Sequence, residues 1–238
     1  MAEFGHTPDA TAPIGETAAA ERTTAFLRKV YGWMCVGLAI TAVVAWAVLG
    51  SPALVQAIAA NHLLFLVLVF AELGLVFFLS SRATALAPGS AAGLFALYSA
   101  LNGVTLSLIL LMYTGASIVT TFVVTAGMFG AMALFGSTTK RSLAGFGQFL
   151  FMGLIGVVLA SIVGFFWHSP ALWFLISVAG VIVFTGLTAW DAQRLRQMAL
   201  AIPEGEAGSY AVVGALSLYL NFLNLFLILL RFQGGSRE

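Results

Sequence analysis

Seven apolar runs follow one another along this chain, and no other feature limits its fold as strongly. They cover Val30–Leu49, Leu63–Leu79, Ala91–Met112, Ala116–Phe135, Phe149–Trp167, Ala171–Trp190 and Ser209–Phe232. A helix needs about 20 mostly apolar residues to cross the hydrocarbon core, and lipid solvates no backbone group, so runs of this length read as transmembrane helices. The breaks hold Gly50-Ser51-Pro52, Pro88-Gly89, Thr114-Gly115, Ser169-Pro170 and Pro203-Glu204-Gly205, all loop chemistry. With 61% hydrophobic and 8% charged residues, the chain fits an all-α polytopic membrane protein and not a soluble domain. Residues 1–25 are polar and small, with scattered acids and no apolar core after a basic start. They read as a disordered cytoplasmic tail and not as a signal peptide. Residues 26–232 then form one seven-helix membrane domain, and 233–238 a short tail.

The last run, Ser209–Phe232, differs from the others. Its middle holds Ser217, Asn221 and Asn224 among large apolar residues on every side. Such polar groups should face protein or a water-filled cavity. The run is read as the helix around which the other six pack. The plainer alternative is a peripheral span whose amides bond to one neighbour.

Basic residues set the orientation. Arg22, Arg28 and Lys29 precede the first run, Arg82 follows the second, Lys140 and Arg141 the fourth, and Arg194 and Arg196 the sixth. Alternating crossings put all of them on one side, and the opposite loops hold none, so the N-terminus is expected in the cytoplasm. Arg231 and Arg237 are the exception: they lie outside if the last run crosses fully and inside if it is re-entrant. A full crossing fits its length. Small residues four apart, Gly156, Ala160 and Gly164 in the fifth run and Ala126 and Gly130 in the fourth, suit close helix packing and need no further explanation.

Few residues could carry chemistry. A net charge of +1 without a basic stripe argues against a nucleic-acid partner. Cys35 is the only cysteine, and His6, His62 and His168 are far apart with no HExxH spacing, so neither a disulfide within the chain nor a structural zinc site is expected. Glu72 lies mid-run in the second span, where an ionised carboxylate costs on the order of 3 kcal/mol unless paired or wet. It is therefore protonated or lines a polar path. Asp191 ends the sixth run in GLTAWDAQRLR, where it is either an interface residue held by Arg194 or a neighbouring Arg, or part of a functional site. Arg82 closes the second span on the same side and is a candidate ion-pair partner for it. Enzyme readings fail. Ser137-Thr138-Thr139-Lys140 fits SxxK without companion motifs, Gly145-Phe146-Gly147 does not complete GxGxxG, and Trp190-Asp191 lacks the second motif of an aspartyl pair.

Five ordered strings carry a resemblance: VYGWMCVGL (30–38), LYSALNGVTLSLI (97–109), the stretch 116–147 from ASIVTTF to LAGFG, VIVFTGLTAWDAQRL (181–195) and GALSLYLNFLNLFLILLRF (214–232). Together they resemble the Bax inhibitor-1 family, also called the transmembrane Bax-inhibitor-motif family, in its bacterial inner-membrane branch. The resemblance implies seven helices, six around a central C-terminal one. It also implies a calcium leak gated by protonation of two aspartates near the cytoplasmic side. Asp191 matches the first aspartate. The second falls in a family string LYLDF, which here reads Leu218-Tyr219-Leu220-Asn221-Phe222, an amide in place of the acid. Arg82 and Glu72 match an Arg and a Glu of the second helix.

The amide changes the chemistry expected of the pair. Two carboxylates in one site hold a proton between them, and Asn221 removes that mutual repulsion. It can donate a hydrogen bond to Asp191 instead, and it removes one negative ligand for calcium. The expected function is a pH-modulated calcium leak of the inner (plasma) membrane, with Asp191, Asn221, Glu72 and Arg82 along its path and its acid sensitivity blunted. Asp191 and Glu72 would meet calcium only transiently, and no resident cofactor is expected. The alternative is a non-conducting regulator that binds a membrane protease or cell-death factor.

Overall fold

The computed structural model describes residues 15–82, 86–167, 169–203 and 206–233. Most of the expected tail, residues 1–14, lies outside them, as do His6, His168, Glu204 and residues 234–238 with Arg237. The described residues form eight helices and no strand: α1 (Glu16–Leu49), α2 (Pro52–Ala60), α3 (His62–Ser81), α4 (Pro88–Leu110), α5 (Gly115–Thr138), α6 (Ala144–Phe166), α7 (Pro170–Ala201) and α8 (Ala207–Gln233). All but α2 are long and apolar enough to cross a membrane.

The helix starts follow from local chemistry. Proline opens α2, α4 and α7, where its missing N–H costs nothing. Side-chain oxygens cap three starts: Asn61 Oδ1 accepts from Leu64 N at 3.0 Å, Thr114 Oγ1 from Ser117 N at 3.2 Å, and Ser169 Oγ from Leu172 N at 3.4 Å.

Three elements differ from the sequence expectation. The first helix begins at Glu16 and not near Val30, so residues 16–25 belong to it and not to a disordered tail. Its start is anchored where the Arg22 guanidinium donates to the Ile202 carbonyl beyond α7. The expected loop after α1 contains α2, because Ala, Leu and Gln between Pro52 and Ala60 are strong helix formers. Finally, α7 does not stop at Trp190. QRLRQMALA mixes charged and apolar residues that all favour helix, so Asp191 sits inside a continuous helix.

Helix α8 is the most buried of the seven candidate spans and α3 the least. It packs against α7, α1, α5 and α4 and marginally against α3, while α6 rests mainly on α7. The contacts form two groups, α1–α4–α3 and α5–α7–α6, with α8 between them. The larger core cluster includes Val30, Phe95, Leu216, Tyr219 and Phe222, and the smaller one Leu150, Phe184, Leu187, Leu225 and Leu229. Edge-on ring contacts bind α8 to both sides: Tyr219 meets Phe95 at 5.5 Å and Tyr98 at 5.8 Å, and Phe222 meets Phe129 at 5.5 Å.

The closest backbone approach is not where the small-residue spacing pointed. A Cβ at Gly130 or Gly156 would meet open space. At Gly136, by contrast, it would strike the Ala189 backbone, and at Gly147 the Trp190 indole. Small residues on α5 and α6 thus bring both helices onto the stretch of α7 just before Asp191. Gly136→Ala should lower stability by about 1–3 kcal/mol through overpacking, whereas Gly130→Ala should change it by less than about 1 kcal/mol. Unfolding of the two variants in the same detergent checks the contrast; equal losses would contradict this packing.

Candidate functional site

Asp191 and Asn221 meet between α7 and α8. Both are buried, at 8% and 6% exposure, and Asn221 Nδ2 donates to Asp191 Oδ2 at 2.8 Å. A carboxyl group in such surroundings needs a hydrogen-bond donor or a proton, and the amide supplies the donor. Asp191 Oδ1 accepts no protein hydrogen bond among the described residues. Asp191 borders a cavity of about 150 Å³ that Ser80, Arg194, Tyr210 and Ser217 also line.

The nearby positive charge is Arg194 and not Arg82. Arg194 acts on Asp191 electrostatically from one turn further along α7, and its guanidinium lies 5.5 Å from the centre of the Trp190 ring. Arg82 is exposed just past the end of α3 and reaches back over the Phe78 ring at 5.9 Å. Among the described residues it forms no ion pair with Asp191. Helix α3 ends at Ser81 with Arg82 exposed at its C-cap, and Ser80, and not Arg82, lines the cavity.

Glu72 occupies a different polar pocket. Half-buried on α3, it accepts a hydrogen bond from Thr105 Oγ1 of α4 at 2.6 Å. Tyr98 and Tyr219 lie close enough to feel its charge. Tyr219 Oη is 2.6 Å from Thr41 Oγ1, which in turn reaches the carbonyls of Ser99 at 2.9 Å and Gly37 at 3.0 Å. Those carbonyls only accept, so Thr41 gives its proton to one of them and Tyr219 donates to Thr41. Glu72 and Asp191 share no hydrogen-bond partner, so the two carboxyl groups sit in separate polar environments, Glu72 between α3 and α4 and Asp191 between α7 and α8. Among the described residues no three His, Cys, Asp or Glu side chains converge on a metal-sized site.

Two features around Asp191 were not evident from the sequence. Gln193 clamps the α5–α6 turn, accepting from Leu143 N at 2.7 Å and donating to the Arg141 carbonyl at 2.8 Å. Arg196 donates to the Ser137 carbonyl at 2.9 Å. The other missed partner is Thr105; its signal was a hydroxyl in mid-span on a helix able to face Glu72.

The architecture is that of a multi-pass helical membrane protein with a buried carboxyl–amide pair between its last two helices. Comparison with known proteins narrows this class. The family model described as "Inhibitor of apoptosis-promoting Bax1" matches residues 23–238, and the chain belongs to that family, the Bax inhibitor-1 family. It is 51% identical to the inner membrane protein YbhL of Escherichia coli K12 over 215 residues, covering 89% of this chain and 92% of that one. An uncharacterized protein of Caulobacter vibrioides is 43% identical over 224 residues, 90% and 89% of the two chains. The uncharacterized protein YrjE of Lactococcus lactis is 36% identical over 222 residues, 90% and 93% of the two chains.

Removing the amide should expose the dependence of Asp191 on it. Asn221→Leu should cost about 1–3 kcal/mol, because a buried acceptor loses its donor. In an Asp191→Asn background the same change should cost less, and the difference gives the coupling of the pair. Additive losses would mean that the hydrogen bond contributes nothing.

Proposed function

We propose that the chain is a calcium leak of the inner membrane whose acid response is weakened by Asn221. The observation that carries this reading is the Asp191–Asn221 hydrogen bond beside a small polar cavity. A single carboxylate with hydroxyl neighbours offers calcium a few oxygen ligands, far from the six to eight it takes in a tight site. Weak, separated stations suit an ion that passes and not one that stays. Glu72, held by Thr105 between α3 and α4, is the second station. Location in the inner membrane follows the name of the Escherichia coli relative. A cytoplasmic N-terminus follows the basic residues that flank alternate spans. On this reading the chain carries no catalytic machinery and no resident cofactor, and its partners are the bilayer and the passing ion.

The pH response follows from the pair. With one carboxyl and one amide, no proton is shared between two acids. Flux by the natural protein in liposomes should therefore change little between about pH 6 and 8. Asn221→Asp gives the pair a proton to hold, and flux should then depend steeply on pH in the same window when incorporation is matched. Steep dependence in the natural protein would overturn the assignment to Asn221. Glu72→Gln keeps the shape and the Thr105 contact while removing a charge; it should lower calcium flux several-fold with unchanged folding, and unchanged flux would make Glu72 structural.

A second reading is a non-conducting regulator that binds a membrane protease or a cell-death factor. The amide at position 221 favours it, since the site has one acidic ligand fewer. No flux above empty vesicles at any pH would establish this reading over the first.

A further inference from the structure

A groove opens sideways between α3 and α6. Helix α3 leans on α4 and α6 on α7, and between them a cavity of about 980 Å³ reaches back to α8. Leu66 and Phe70 line one wall, Val158 and Ile162 the other, and Asn224 and Arg231 of α8 lie along its floor. The four apolar wall residues are also exposed, so the groove faces the hydrocarbon and not water. Its size is in the range of clefts that hold a small ligand.

Arg231 gives the groove a chemical preference. It lies at the end of the bundle where α6 joins α7, and among the described residues no other Lys, Arg, Asp or Glu lies at that end. Its exposed guanidinium rests on the Trp173 ring at 4.5 Å and has no acidic partner among the described residues. Exposed Trp167 and the Phe174–Phe232 pair, 5.7 Å apart, surround it with the aromatic residues typical of a membrane interface. An apolar slot that opens to lipid and ends at an unpaired arginine matches one molecule: an acyl chain in the slot and a negatively charged headgroup on the guanidinium. We propose that this groove is a binding site for an anionic diacyl phospholipid. The site lies further along α8 towards its C-terminus than the Asp191–Asn221 pair and holds whether or not the chain conducts ions.

Native mass spectrometry tests this. The protein, purified in mild detergent, is exposed to equal amounts of phosphatidylglycerol and phosphatidylcholine with the same palmitoyl and oleoyl chains. One charge contact near the membrane surface corresponds to a preference of about five-fold for phosphatidylglycerol. Arg231→Gln should abolish the preference, and Arg231→Lys, which keeps the charge, should retain most of it. Val158→Trp, which fills the slot, should reduce phosphatidylglycerol retention at least two-fold. The natural protein alone supplies a further check, because raising the salt should shrink its preference. Equal retention of the two lipids, a preference that survives Arg231→Gln, retention unaffected by Val158→Trp, or a preference indifferent to salt would each overturn the proposal.

Discussion

A carboxyl group placed between two apolar helices costs several kcal/mol unless a hydrogen bond meets it, and the Asn221 amide meets Asp191 at 2.8 Å. Much of the surrounding structure serves that contact. Gly136 and Gly147 bring α5 and α6 onto α7 immediately before Asp191, and the Gln193 and Arg196 bonds hold the α5–α6 turn immediately after it. On α8, Leu216, Leu218, Tyr219 and Phe222 are buried around the amide, so it is delivered by a helix with little freedom to turn. The pair is therefore held from both sides by packing, and its geometry does not rest on one bond.

The second polar cluster obeys the same physics with different groups. Thr41, Ser99, Thr105 and Tyr219 place hydroxyls from three helices around the part of the bundle that Glu72 enters. Hydroxyls can donate and accept, so they meet a carboxyl group whichever protonation state it takes. The amide beside Asp191 is a directed donor. The two carboxyl groups are thus met differently, one by adaptable hydroxyls and one by a fixed dipole.

Much of this could be read from the residues. Seven apolar runs with turn residues between them defined the spans, because spanning length and loop chemistry are local properties. Asn221 and Asp191 stood out as polar groups in apolar runs, and the structure brings them together. What the sequence hid was of another kind. The start of α1 from Glu16 to Lys29 and the extension of α7 to Ala201 are too rich in charged and polar residues to read as membrane span, although helix-favouring residues and, in the extension, the spacing of Ala192, Leu195 and Ala199 could mark them as helix. Arg82 was misplaced because charge and topology put it on the correct side without revealing which way a helix-end side chain turns. The Gln193 clamp joins residues about fifty positions apart, and no local pattern encodes such a bond.

The Gln193 clamp also bears on how the bundle can move. With the α5–α6 turn tied to α7 at a point two residues beyond Asp191, a displacement of α7 there pulls on the turn that joins α5 and α6. Helix α4 is likewise married to α1, and α3 to α4. A swing of α7 alone that separated Asp191 from Asn221 would have to break the Gln193 bonds to the α5–α6 turn and the Arg22 bond that ties α1 to the end of α7.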